Sequence, residues 1–165
     1  MTGPASRTPD TADLRHEILN ELGLGVVPNL FSAPVAAPQT LQGVWSAFRD
    51  IVLRGALPRP VKEMMGVLVS RASGSPYAAA AHLHALTLQG VQQGIVEAMA
   101  RGEVPAGLSE QMLALLRFAL RPGSVEGLRA AGLSEAEVSE AVAVVGVFRL
   151  INTYTDLLHV PIDGA

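Results

Sequence analysis

The stretch that decides the fold is EMMGVLVSRASGSPYAAAAH, residues 63–82. Apolar side chains recur at three- and four-residue steps from Val61 to Val69, which predicts an amphipathic helix with one buried face. Ser73-Gly74-Ser75-Pro76 follows as a compact turn, in which Ser75 is suited to cap and Pro76 to open a second helix. A connection this short predicts an antiparallel helix hairpin.

The rest of the chain continues the helical pattern on both sides of this hairpin. Glycine and proline stops, and a capping box at Ser134 and Glu137, delimit the helices. No stretch shows sustained period-two alternation, so we expect essentially no sheet. The predicted class is all-α, a helical bundle, with helices at about 10–22, 38–54, 59–72, 76–88, 92–101, 109–120, 124–131 and 134–158.

The length of 165 residues fits one domain. Residues 1–9 are polar and include Pro4 and Pro9, so we predict a flexible N-terminal leader there. Residues 10–165 are predicted to form a single helical domain.

Composition limits the partners that this chain can have. Hydrophobic residues make up 49% and charged residues 16% of the sequence, so little charge covers the surface and we expect a homo-oligomer. A net charge of -3 without a basic stripe argues against nucleic acid. No apolar run approaches the roughly 20 residues of a membrane span, and the N-terminus lacks a signal-peptide core. The expected location is therefore cytoplasmic, away from membranes.

Cysteine is absent from the sequence. Its absence excludes disulfides, thiolate nucleophiles, thiolate metal ligands and iron–sulfur clusters. The four histidines, His16, His82, His84 and His159, show no metal-ligand spacing, so we predict neither a metal nor a cofactor.

Residues 63–82 resemble the signature of the alkylhydroperoxidase D-like (AhpD-like) and carboxymuconolactone decarboxylase family. In that signature a glutamate on one helix is followed by Cys-x-x-Cys at the start of the next helix and then by a histidine. Glu63 and His82 match the glutamate and histidine, whereas Ser75 and Ala78 stand at the cysteine positions.

The resemblance extends over about residues 25–162 and is to the peroxidase-related branch of the family. Segments 27–31, 128–134 and 148–161 carry it outside the hairpin. It implies an AhpD-like bundle built around that hairpin, and assembly as a trimer, hexamer or dimer.

The same resemblance implies a family role in antioxidant defence, through a thiolate that attacks and a second thiol that resolves the product as a disulfide. Ser75 has no accessible anion near neutral pH, and Ala78 has no functional group. We therefore expect no cysteine-based peroxidase activity, and the sequence leaves open whether the chain is an enzyme.

Three functions remain open at this point. The chain is a redox-inactive binding protein for a small molecule, or an acid–base enzyme of decarboxylase or isomerase type that uses Glu63 and His82 on a small carboxylated or lactone substrate. Alternatively it has a purely structural, oligomeric role, with the space between Glu63 and His82 filled by methionine and leucine side chains.

Single residues near the signature also allow two interpretations. Ser75 is a nucleophile with His82 as base and Glu63 as orienting group, or, more simply, a helix cap whose hydroxyl accepts from backbone N–H groups. Tyr77 lines a pocket mouth, or packs its ring while its hydroxyl reaches water. We expect His84 to point elsewhere, and Trp45, Phe48, Met64 and Met65 to be packing residues.

Overall fold

In the computed structural model, which describes residues 10–32 and 38–164, every regular element of these ranges is helical. The predicted all-α class is confirmed, and the predicted leader 1–9 lies outside the described residues. The elements are α1 (Thr11–Leu22), α2 (Asn29–Ser32), α3 (Pro38–Ala47), a π-helical segment (Phe48–Leu53), α4 (Arg59–Ser73), α5 (Pro76–Leu88), α6 (Gln93–Ala100), α7 (Glu110–Leu120), α8 (Glu126–Ala130) and α9 (Glu135–Leu157).

Local sequence signals set the helix ends. Asp10 caps α1 through a hydrogen bond from the Ala12 amide, and Gly23 ends that helix in the left-handed conformation. Ser134 and Glu137 form the predicted capping box at the start of α9. Among the described helices, none combines the length and the hydrophobicity that crossing a membrane requires.

Helix α4 is the centre of the bundle. It packs against α5, α7 and α9, and every residue from Val61 to Ser70 is buried. Gly74, with φ of 71°, ends α4 in the left-handed conformation, and α5 begins two residues later. The predicted antiparallel hairpin is thus present, and it places Glu63 on the helix next to that of His82.

The predicted helix over residues 38–54 is interrupted. Six residues near its end, Phe48–Leu53, are π-helical. Beyond it, the buried Lys62 of α4 donates from Nζ to the carbonyl oxygens of Ile51, at 2.9 Å, and of Arg54. A tertiary contact with Lys62 therefore occupies carbonyl oxygens at the end of this helix. The spacing of apolar residues in the sequence does not reveal this contact or the π-helical turn.

The same lysine forms a buried ion pair with Glu140 of α9. The other carboxylate oxygen of Glu140, Oε2, accepts from the amides of Ala56, at 2.6 Å, and Leu57, at 3.1 Å. Gly55 leaves room for this carboxylate, because a Cβ there would lie 2.3 Å from Glu140 Oε1. Through these bonds, Glu140 holds the loop that precedes α4 against helix α9.

Candidate functional site

Glu63 of α4 and His82 of α5 are hydrogen-bonded across the hairpin. Nδ1 of His82 lies 2.7 Å from Oε2 of Glu63, and both side chains are buried. A carboxylate can only accept, so Nδ1 carries the proton in this bond. The tautomer that this bond selects has its lone pair on Nε2. Nε2 has no hydrogen-bond partner among the described residues. The pairing predicted from sequence is present in the structure.

The His82 ring is held from two sides. A Cβ on Gly66 of α4 would lie 2.6, 2.6 and 2.7 Å from Cε1, Nε2 and Cδ2 of the ring. These nearly equal distances mean that the ring lies face-on over the glycine. Phe148 of α9 contacts the ring edge-to-face, with centroids 4.4 Å apart. Gly66 therefore makes room for the imidazole, a role that sequence reasoning missed.

The Glu63–His82 pair forms part of the wall of a cavity of about 800 Å³. The filling by methionine and leucine side chains that the purely structural alternative requires is not present among the described residues, because Met64 and Met65 turn into the core and do not line the cavity. The alanines of α5 leave much of the space open, since their side chains end at Cβ. Those on the cavity wall are Ala78, Ala80, Ala81 and Ala85.

Other segments also line the cavity, including α9 through Ile151. The loop after α1 and helix α2 contribute mainly apolar residues, the π-helical segment contributes Phe48, and the chain after α9 contributes Ile162, Asp163 and Gly164. The prediction that Phe48 is only a packing residue is wrong in this respect. It contacts Phe31 and Trp45 in the core while also facing the cavity.

Arg59 carries a permanent positive charge at the cavity wall. Its Nε donates to Oε1 of Glu63 at 3.2 Å, so each oxygen of that carboxylate has one donor, from Arg59 or from His82. The Arg59 side chain is 35% exposed, and its two terminal nitrogens have no partner within the described ranges. Both remain available to an acceptor on a bound molecule.

Ser75 occupies the capping position of α5, but its hydroxyl makes no capping hydrogen bond. It donates instead to Oδ1 of Asp156 on α9, at 2.7 Å. The prediction that this hydroxyl serves the backbone amides is therefore wrong. Ser75 does not line the cavity, and His82 uses Nδ1 for Glu63, so the two side chains do not form the alternative nucleophile–base pair.

Tyr77 lines the cavity, and its hydroxyl does not end in water. The hydroxyl accepts from the Leu30 amide at 2.9 Å and donates to Oδ2 of Asp163 at 2.7 Å. Burial, together with the neighbouring Asp163 carboxylate, raises the pKa of Tyr77 well above its usual range. Tyr77 is therefore a neutral structural donor.

His84 is exposed and lies on the cavity wall, contrary to the prediction that it points elsewhere. Within residues 10–32 and 38–164, no group of three or more His, Asp or Glu side chains is arranged to hold a metal ion. Asp156 and Asp163 are the partners that sequence reasoning missed, and no signal near Ser75 or Tyr77 could have identified them.

Known proteins share this arrangement of helices. The model of the carboxymuconolactone decarboxylase family matches residues 38–121, which include the whole hairpin. A search of curated proteins found no significant match.

Three crystal structures illustrate the similarity of fold. A peroxidase-related protein with the alkylhydroperoxidase AhpD core, from Ralstonia eutropha JMP134, is 23% identical with a TM-score of 0.81, covering 99% of this chain and 95% of its own. A peroxidase-related protein from Silicibacter sp. TM1040 is 22% identical with a TM-score of 0.79, covering 97% and 88%. A cysteine-to-alanine variant of the debrominase Bmp8, in complex with 2,3,4-tribromopyrrole, is 19% identical with a TM-score of 0.80, covering 98% and 90%.

The structural similarity supports the AhpD-like fold expected from the resemblance in sequence. The family match covers half of the chain, from α3 through α7, and contains both Glu63 and His82. The chain belongs to the carboxymuconolactone decarboxylase family.

Proposed function

We propose that the chain is a thiol-independent acid–base enzyme that acts on a small, largely apolar molecule. The observation that carries this proposal is that a hydrogen-bonded Glu63–His82 pair forms part of the wall of a cavity of about 800 Å³. Ligand pockets typically measure about 300–1,000 Å³, so this cavity is large enough for a drug-sized molecule.

His82 is the proton-transferring group in this mechanism. With Nδ1 bonded to Glu63, the lone pair on Nε2 accepts a proton from the substrate and returns it later in the cycle. Glu63 fixes the tautomer and stabilises the imidazolium that forms. Arg59 keeps one oxygen of Glu63 occupied, so the carboxylate turns its other oxygen to His82.

The proposed substrate carries one acidic or carbonyl group on an apolar body. Most of the cavity wall is apolar, and Arg59 presents two nitrogens without a described partner close to the Glu63–His82 pair. A carboxylate or lactone oxygen fits these donors, while rings or alkyl groups fit the alanine and phenylalanine side chains. The tribromopyrrole held by the debrominase Bmp8 is a useful first binding probe of comparable chemistry.

Thiol peroxidase activity is not part of the proposal, although the family role implied by the resemblance is antioxidant. The sequence has no cysteine, and the Ser75 hydroxyl lies outside the cavity wall, bonded to Asp156. We expect no consumption of an organic hydroperoxide, with or without an added dithiol. Consumption that His82→Ala abolishes would contradict this expectation.

The test of acid–base turnover is a screen of small keto acids, lactones and aromatic carboxylates, with products identified by mass spectrometry. His82→Gln and Glu63→Gln are expected to lower kcat by about 10²–10⁴-fold, the usual contribution of a positioned proton-transfer group. His16→Gln is the matched control, because His16 is exposed on α1 and does not line the cavity. Equal turnover in Glu63→Gln and the wild-type protein would remove the mechanism.

Ligand binding without turnover is the second candidate. The packing of the His82 ring between Gly66 and Phe148 favours it, because a ring held this tightly also suits a purely structural ion pair. Tribromopyrrole binding measured by calorimetry, with no product from any compound of the screen, would select this candidate.

Self-association and a cytoplasmic location also belong to the proposal. Several large apolar side chains outside the cavity are well exposed, including Val142 at 47%, Leu150 at 47% and Leu157 at 74%. Contacts between copies of the chain would cover such side chains. Sedimentation at micromolar concentration should show a dimer, trimer or hexamer, and a clean monomer would contradict the proposal.

A further inference from the structure

Residues 160–164, here called the strap, follow α9 and reach the cavity wall. Ile162, Asp163 and Gly164 form part of the cavity wall. Val160 anchors the start of the strap, being buried and donating its amide to the Thr155 carbonyl at 2.9 Å. Residues 161–164 are exposed, so little apolar burial holds them in place.

Polar contacts of Asp163 and Asn29 fasten the strap. Oδ2 of Asp163 accepts from the Tyr77 hydroxyl at 2.7 Å, and Oδ1 accepts from the backbone amide of Asn29 at 2.6 Å. The Asn29 side chain donates back to the Pro161 carbonyl at 3.0 Å. One carboxylate thus joins the strap to the start of α5 and to the start of α2.

We propose that the strap is a detachable wall that determines which molecules enter the cavity, with Asp163 as its positioning residue and Ile162 as its apolar contact. The hairpin side of the cavity belongs to two packed helices, and its buried residues include Glu63, Ala78 and His82. The strap side, in contrast, is held mainly by the hydrogen bonds of Asp163 and Asn29. Displacing residues 161–164 therefore opens the cavity at a lower cost than moving α4 or α5.

Hydrogen exchange of the backbone amides of Asn29 and Leu30 measures displacement of the strap in the absence of any ligand. They are the first two amides of α2, and their acceptors are Asp163 Oδ1 and the Tyr77 hydroxyl. In each variant, hydrogen exchange is measured at the backbone amide that keeps its acceptor, so faster exchange there is not caused by direct loss of that acceptor. Tyr77→Phe keeps the acceptor of Asn29, and Asp163→Ala keeps the acceptor of Leu30.

Hydrogen exchange followed by NMR tests the proposal. We expect about tenfold faster exchange of Asn29 in Tyr77→Phe and of Leu30 in Asp163→Ala, with unchanged exchange in α4. Asp156→Asn is the matched control, because Asp156 also bonds a hydroxyl at the start of α5 but does not line the cavity. Wild-type exchange at the read-out amide in both variants would overturn the proposal.

A second measurement follows entry into the cavity, and here the inference rests on the proposed function. The probe is 1-anilinonaphthalene-8-sulfonate, whose fluorescence rises when it leaves water. Its association rate should increase about tenfold in Asp163→Ala relative to Asp156→Asn. Equal rates would overturn the gating role. If the wild-type protein binds no probe, the proposed ligand binding fails, while hydrogen exchange still decides whether the strap detaches.

Discussion

A Cβ placed on Gly66 would lie 2.6 Å from Nε2 of His82. The imidazole cannot move away freely, because Glu63 holds Nδ1 and Phe148 packs against the ring. The glycine in the middle of α4 is therefore a requirement of the histidine on α5, and the two residues form one structural unit.

Gly66→Ala tests this relationship. Alanine favours a helix interior by about 1 kcal/mol over glycine, but forcing a methyl group against a held ring typically costs about 1–3 kcal/mol. We expect a net loss of about 1 kcal/mol in the free energy of unfolding, together with a shift of the His82 side-chain NMR signals. Gly146→Ala is the control, since a Cβ on this exposed glycine of α9 would have no described atom within 4 Å. It should stabilise the protein by about 0.5–1 kcal/mol, and similar behaviour of both variants would contradict the interpretation.

The sequence predicted the hairpin and its Glu63–His82 pair because both follow from local rules. Apolar spacing sets the face of α4, Gly74 and Pro76 set the turn, and helical periodicity places His82 on the same face of α5 as Ala78. The capping box of Ser134 and Glu137 could be predicted for the same reason, since its two residues lie three positions apart. These features need no knowledge of distant parts of the chain.

The cavity and the hydroxyl partners could not be predicted in the same way. Asp156 and Asp163 lie 81 and 86 residues from the hydroxyls they accept from, and their local sequence is that of an ordinary helix end. The π-helical turn at Phe48 coincides with the buried amine of Lys62, which looks like any surface lysine in the sequence. Such pairings arise from tertiary packing, on which a single sequence carries little information.

The Lys62–Glu140 pair should be strongly coupled. Lys62 is 1% exposed and Glu140 12%, and a buried charge left alone costs about 3–5 kcal/mol. Glu140→Gln is expected to lose about 3 kcal/mol of unfolding free energy. The double variant with Lys62→Met should be more stable than the sum of the single losses by at least about 1 kcal/mol.

Urea unfolding of the four proteins in this cycle provides the measurement. The coupling should persist in high salt, because the pair is shielded from counterions. Glu103→Gln, in the exposed pair with Arg101, is the control and should leave stability unchanged. If the losses of unfolding free energy in the two single variants simply add in the double variant, the ion pair between Lys62 and Glu140 makes no coupling contribution to stability.

Tyr77 should make stability depend on alkaline pH. Burial raises the pKa of its hydroxyl in the folded protein, so the proton is bound more tightly than in the unfolded chain. This contribution is complete below about pH 10, the ordinary pKa of the phenol, and is lost as the pH rises further. Urea unfolding between about pH 8 and 11 should decline more steeply for the wild-type protein than for Tyr77→Phe. Parallel declines would show that Tyr77 ionises normally in the fold.

Placing cysteines at positions 75 and 78 should not by itself create a reactive thiol. In Ser75→Cys/Ala78→Cys, the thiol at position 75 starts helix α5, whose dipole favours a thiolate, but it also faces the Asp156 carboxylate that now accepts from Ser75 at 2.7 Å. A neighbouring negative charge raises a thiol pKa. We expect slow alkylation by iodoacetamide near neutral pH.

Adding Asp156→Asn to that double variant isolates the carboxylate. Removing the negative charge should lower the thiol pKa by about one unit or more, which increases the thiolate fraction near neutral pH about tenfold. The pH dependence of alkylation gives the pKa directly, and Asp163→Asn in the same background is the control because Asp163 contacts Tyr77 instead. Identical pH profiles of alkylation with and without the Asp156→Asn substitution would mean that the Asp156 carboxylate does not affect the thiol pKa at position 75. The expected difference would show that the environment of position 75 in this chain disfavours a thiolate, so two cysteines at positions 75 and 78 are not sufficient for thiol chemistry.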